Sequence, residues 1–266
     1  FHIRNGWLLK GLKAIETDGT SLYKIDAHHD LGVGKNMLSS ILYWIKAVGL
    51  VESKDPKKTI RPELKLTRLA EIINKYDPYM EDISTLWCIH WELATNEKLA
   101  TFWYWIFNEC NLIEFSGNRL IEMMQEYIKD NGLKNVAESS LTKDVSCFIR
   151  TYSSSDKDID QDIEDSIDCP LAALGLIRKN KDIDNVYRWT AGTHTNMVAE
   201  IFGYTLYKFK EICYPDAIEI KLDQIRFGKY SPGRILGLSN SEIQDYIYEF
   251  GNIYEGSLNI VTTNNL

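Results

Sequence analysis

The residues of this chain best suited to hydrolytic chemistry stand at 215–223, PDAIEIKLD. A Pro-Asp pair followed by Glu219-Ile220-Lys221 echoes nucleases that hold a divalent cation between carboxylates and set a lysine beside the scissile phosphate. Asp216, Glu219 and Asp223 would be the cation ligands and Lys221 the charge stabiliser, with magnesium or manganese as cofactor of a DNA-nicking reaction. The spacing argues against this. In such nucleases the acidic groups come from different strands, whereas Asp216 and Glu219 are three residues apart. Without nicking, no metal or other cofactor is expected. His28-His29-Asp30 lacks the further His or Cys that a tetrahedral site needs, and adjacent histidines point in different directions. Cys88 and His90, in WCIHW, could be a nucleophile and its base, but an aromatic helix is core material first. The aspartate-rich run 156–168 lacks the glycine and terminal glutamate of a calcium loop.

A second chemistry is phosphate binding. Gly32-Val33-Gly34-Lys35-Asn36 looks at first like a nucleotide loop. That loop needs a preceding strand, an earlier glycine and a hydroxyl after the lysine, and Asn36 stands where the hydroxyl should be. The stretch reads better as the turn of a helix-turn-helix. Gly34, Lys35 and Asn36 would then sit at the positive end of a helix dipole, ready for a phosphate. Ser39, Ser40, Tyr43 and Lys46 would face base edges or backbone. Lys54, Lys57, Lys58 and Arg61 follow within eight residues, opposed only by Asp55, in a turn-rich stretch. The plainer alternatives are a packing helix and a solvated lysine loop.

These residues need elements to hold them. Trp7, Leu8, Leu12 and Ile15 recur at helical spacing, as do Met37, Ile41, Leu42, Ile45 and Val48, with Asn36 as cap and Gly49 as stop. Leu50 and Val51 open a strand, Leu64–Thr67 returns as another, and a helix runs to Tyr76. Helix, helix, helix, strand, basic loop, strand is the order of a winged helix-turn-helix, which presents its third helix to the major groove. Residues 82–115 predict two buried aromatic helices. Helices at 117–132, capped by Asn118, and 138–152 have helix-turn-helix spacing too. Further on, 195–211 predicts a helix, 218–225 a strand or short helix, Ser239 or Ser241 a helix cap, and 257–266 a terminal strand. The expected fold is mainly α with small antiparallel β-hairpins. It divides into a winged helix-turn-helix domain at 1–80, a helical domain at 81–155 with room for a second helix-turn-helix, an acidic linker at 156–168, and an α+β domain at 169–266.

The bulk composition narrows the partners. The net charge is −8, yet residues 1–75 carry 13 Lys and Arg against 8 Asp and Glu, and the remainder 17 against 30. A polyanion would dock on the N-terminal part, because the local field decides. Five scattered cysteines without a CxxC pair indicate reduced thiols and a cytoplasmic setting. No apolar run reaches the about 20 residues of a membrane helix, so no membrane partner is expected.

GWLLKGLKAI, LGVGKNMLSSILYWIKAVGLVE, DCPLAALGLI (168–177) and SPGRILGL (231–238) resemble, in that order, the bacterial family known as domain of unknown function 4007. The resemblance implies a place in gene clusters for DNA phosphorothioation and phage defence, beside sulfur-transfer and modification proteins as partners. One branch is regarded as a DNA nickase. The expectations are therefore a duplex-DNA-binding component of such a system, a metal-dependent nickase of the same system, or a subunit that uses its winged helix to dock on protein.

Overall fold

The structure, a computed structural model, describes residues 1–153, 169–190 and 197–261. The acidic linker expected at 156–168 lies outside the described residues.

The chain opens with α1 (Trp7–Thr17), the short α2 (Ala27–Asp30) and α3 (Lys35–Ala47). α1 buries Trp7, Leu8, Leu12 and Ile15, the face its periodicity predicts. It lies so close to α3 that a Cβ on Gly11 would stand 2.7 Å from the Ile45 side chain. Gly49, at φ +66°, ends α3 as expected. β1 (Val51–Ser53) and β2 (Leu64–Leu66) then form an antiparallel hairpin, with Val51 opposite Leu66 and Ser53 opposite Leu64. α4 (Arg68–Tyr76) begins at Thr67, whose side chain accepts from the Ala70 N–H.

Next come α5 (Ile83–Thr95), α6 (Thr101–Asn108), β3 (Glu114–Ser116), α7 (Gly117–Asp130) and α8 (Glu138–Tyr152). β4 (Ile177–Lys179) and β5 (Val186–Trp189) pair with β3 in the antiparallel order β3-β5-β4, so chain on either side of residues 154–168 shares one sheet. α9 (Ala199–Cys213), the short α10 (Leu222–Phe227) and α11 (Pro232–Ile235), and α12 (Asn240–Ile253) complete the order. The described fold is thus mainly helical with small antiparallel sheets. One apolar cluster runs from Ile3 to Ile247, with Trp44, Trp87, Trp91, Phe148 and Phe202 among its fully buried members.

Three local expectations are corrected. Asn36 does not cap α3; Gly34 does, and Asn36 stands in the first turn. Ser116, not Asn118, caps α7, its hydroxyl accepting from the Arg119 N–H. Residues 257–261 form no strand, whereas at 218–225 the short-helix alternative is met by α10, after irregular chain at 218–221. In each case a local propensity lost to a neighbouring residue or to the want of a pairing edge. The cap at Ser239 is as expected, with Glu242 reaching back 2.8 Å to its backbone N–H.

Candidate nucleic-acid interface

The turn between α2 and α3 is built by the backbone. Gly32 adopts φ +62° and donates to the His29 carbonyl at 3.0 Å, while Val33 donates to the His28 carbonyl at 2.9 Å. Gly34 then enters α3 with extended geometry and no side chain capping the first turn. Gly34, Lys35 and Asn36 are exposed, so α3 presents its opening N–H groups to solvent beside a lysine. Lys10 braces the turn from α1 by donating to the Leu31 carbonyl at 3.0 Å, a role the sequence does not advertise.

Along α3 the candidates divide. Ser39 is exposed and Ser40 half-buried, and each hydroxyl donates back into its own helix, to the Lys35 and Asn36 carbonyls at 3.3 and 3.1 Å. Tyr43 donates to the Leu99 carbonyl at 3.0 Å, and burial pushes its hydroxyl well above the usual phenol range. Lys46 is half-buried; its ammonium donates to the Tyr23 hydroxyl at 3.0 Å and lies 5.4 Å from the centre of that ring. The N-terminal half of α3 is therefore open, and Tyr43 and Lys46 are tied to their own fold.

The β1–β2 loop is a defined turn organised by Asp55. Its carboxylate accepts from the Lys57 N–H at 2.9 Å, and its carbonyl from the Lys58 N–H at 3.0 Å and the Ser53 hydroxyl at 2.6 Å. Lys54 pairs with Glu63 at 2.5 Å, with both side chains about half exposed. Lys57, Lys58 and Arg61 are exposed, and none of them forms an ion pair among the described residues. Arg61 holds φ +44°, a conformation L-residues rarely adopt.

The remaining candidates gather less. Asp216, Glu219 and Lys221 are exposed between α9 and α10, Asp223 is exposed in the first turn of α10, and Gln224 accepts from the Lys221 N–H at 3.0 Å. Among the described residues no group of three or more His, Cys, Asp or Glu could hold a metal ion. The chain's own carboxylates at 216–223 thus do not fit a bound cation.

His90 is fully buried, with Nδ1 2.8 Å from the Tyr152 hydroxyl and Nε2 3.0 Å from the Ile235 carbonyl. A carbonyl only accepts, so Nε2 donates to Ile235, and Nδ1 and the Tyr152 hydroxyl bond to each other. Burial pushes the Cys88 thiol up to about 12. This pair is core, as an aromatic helix implies.

The SPGR stretch also proves architectural. The Ser231 hydroxyl caps α11. Arg234 donates to the Phe107 and Cys110 carbonyls at 3.0 and 3.1 Å and to Asn111 Oδ1 at 2.8 Å, closing the end of α6. No described helix is long and apolar enough to cross a membrane.

Comparison with known proteins adds the following. The model of a family described as protein of unknown function (DUF4007) matches residues 1–266. A crystal structure of magnesium-ion-bound SspB is 24% identical, with a TM-score of 0.86, covering 96% of this chain and 76% of that one. A second SspB crystal structure is 23% identical, with a TM-score of 0.87 over 99% of this chain and 78% of that one. At this identity the likeness is one of fold. No curated protein matches.

Proposed function

Since the chain belongs to the DUF4007 family over residues 1–266, we propose that it is a duplex-DNA-binding component of a bacterial DNA-modification system of the phosphorothioation or phage-defence kind. In this reading residues 1–80 are a winged helix-turn-helix, with α3 as the recognition helix and β1–β2 as the wing. A backbone bond from Leu64 to the Gly19 carbonyl at 2.9 Å supports it, since it sets the segment between α1 and α2 beside β2, where winged helices place their first strand. The cell compartment is the cytoplasm, and its partners include sulfur-transfer or modification proteins of the same system.

The observation that carries the reading is the open start of α3 on the same unit as a rigid wing whose Lys57, Lys58 and Arg61 have no carboxylate partner among the described residues. Each phosphate neutralised on duplex DNA contributes about −0.9 to the slope of log affinity against log salt. Contacts from Lys35, Lys57, Lys58 and Arg61 give a slope of about −3 to −4. Fluorescence anisotropy of a labelled duplex across a salt series tests this. Lys58→Glu should weaken binding to all duplexes alike, while Ser39→Ala should change sequence preference. A flat salt response, or no binding, would favour the docking of a protein on this face instead.

A nicking role draws on the magnesium-bound form of SspB. It is the weaker reading, because the described carboxylates do not converge. Plasmid left supercoiled with magnesium or manganese at protein excess would count against it.

A further inference from the structure

We infer that β3–α7–α8–β4–β5, with α6 before it, is a second winged helix, and that α8 and the β4–β5 hairpin form a second duplex-DNA contact surface. The inference rests on DNA being the ligand, as proposed above, but on different residues.

Topology is the first support. The order is helix, strand, helix, helix, strand, strand, and the first strand pairs with the last, giving the sheet order β3-β5-β4. That is the winged-helix arrangement with its three-stranded sheet complete, and it makes α8 the recognition helix and residues 180–185 the wing tip. Packing agrees. α8 buries Leu141, Val145, Phe148 and Tyr152, and the Phe148 ring lies 6.2 Å from Phe115 on β3 and 6.2 Å from Trp189 on β5. The sheet thus holds one face of α8 and leaves the opposite face outward.

That outward face is the second support. Ser139, Lys143, Ser146 and Arg150 fall at helical spacing directly opposite the buried stripe, and all four are exposed. On this stripe Lys143 is the cation offered to a phosphate, beside the Ser139 and Ser146 hydroxyls, and no apolar side chain interrupts it. Asp144, the acidic residue of mid-helix, lies off it and lines a groove with Tyr43 and Trp103. A protein-docking face would need an apolar centre. Cations and hydroxyls are what phosphates and base edges accept.

The wing is the third. Arg178 and Arg188 stand directly opposite each other across β4 and β5, both exposed. Glu114 stands opposite Arg188 on its other side, on β3, so the cross-strand row Glu114–Arg188–Arg178 carries one net positive charge, at its β4 end. Lys181 is exposed at the tip, in a turn where Asn180 accepts from the Asp182 N–H at 2.9 Å. Lys179 pairs with Asp184 at 3.5 Å, both well solvated, so that pair screens little.

The test uses the full chain and one labelled duplex, with circular dichroism as a check of fold. A Lys143→Glu/Lys181→Glu double variant should bind about tenfold more weakly, with a salt slope shallower by about 2. Lys57→Glu/Lys58→Glu should do the same through the first unit. If the 143/181 variant keeps parental affinity and slope while the 57/58 variant loses both, the second surface is overturned and the first reading stands. The reverse pattern supports the second surface and overturns the first. A parent chain that does not bind duplex DNA overturns both. Should the glutamate variant unfold, Lys143→Gln/Lys181→Gln must still make the slope shallower, and an unchanged slope there rejects the inference.

Discussion

Two side chains with chemical potential serve the fold, and each gives a prediction. Arg234 spends its donors on the Phe107 carbonyl of α6, on the Cys110 carbonyl just after it, and on Asn111. Replacing it with alanine leaves those acceptors half-buried and unmet, which should cost about 2–4 kcal/mol; urea denaturation with an unchanged m-value is the check. Glu92 is the complementary case. Tyr204 donates to it at 2.7 Å, yet burial outweighs that bond and the pull of Lys208 and raises its carboxyl above the ordinary range. A raised carboxyl gives stability that is full below the unfolded value of about 4.3 and is lost as pH rises through the folded value. Thermal midpoints should therefore fall across that window as pH climbs, against the usual trend for paired carboxylates. Glu92→Gln, which keeps an acceptor for Tyr204, should remove that fall and be more stable than the parent at pH 7. Identical pH profiles for the two proteins would mean the carboxylate is solvated.

Elements show how far local pattern reaches. The apolar stripes of α1 and α3 are plain in the sequence and are the faces the structure buries. Their closeness rests on Gly11, so Gly11→Leu should cost about 1–3 kcal/mol by overpacking against Ile41 and Ile45, seen as a lower denaturation midpoint. The outward residues of α3 were only partly legible. A helical wheel says that Tyr43 and Lys46 leave the core stripe, but not that Leu99 and Tyr23 wait on the flanks to bond them. Asp55 looked like a charge opposing the wing, and it is the residue that shapes it. The β3-β5-β4 sheet had no local signature, because Glu114 and Arg188 pair across a long stretch of chain and each strand is only three or four residues. Acidic residues close in sequence suggested a metal centre at 216–223, but spacing does not make side chains converge.

At the scale of the molecule, the net charge of −8 opposes a polyanion, so binding must come from local basic surfaces. The apolar cluster runs without a break from α1 to α12, which joins the two proposed winged helices through packed core rather than through a linker. α3 and α8 flank a single groove of about 660 Å³, lined by Tyr43 from one and Leu141 and Asp144 from the other. Two contact surfaces held this way act at high effective concentration only when one duplex can reach both. Affinity should then rise in a step, not smoothly, as duplex length increases. The salt slope should steepen at the same length, by about 0.9 for each phosphate contact the second surface adds. Anisotropy titrations with a ladder of duplexes read both quantities together. A slope that stays constant while affinity rises in proportion to length would reflect only the growing number of overlapping sites, and would leave one winged helix carrying the DNA.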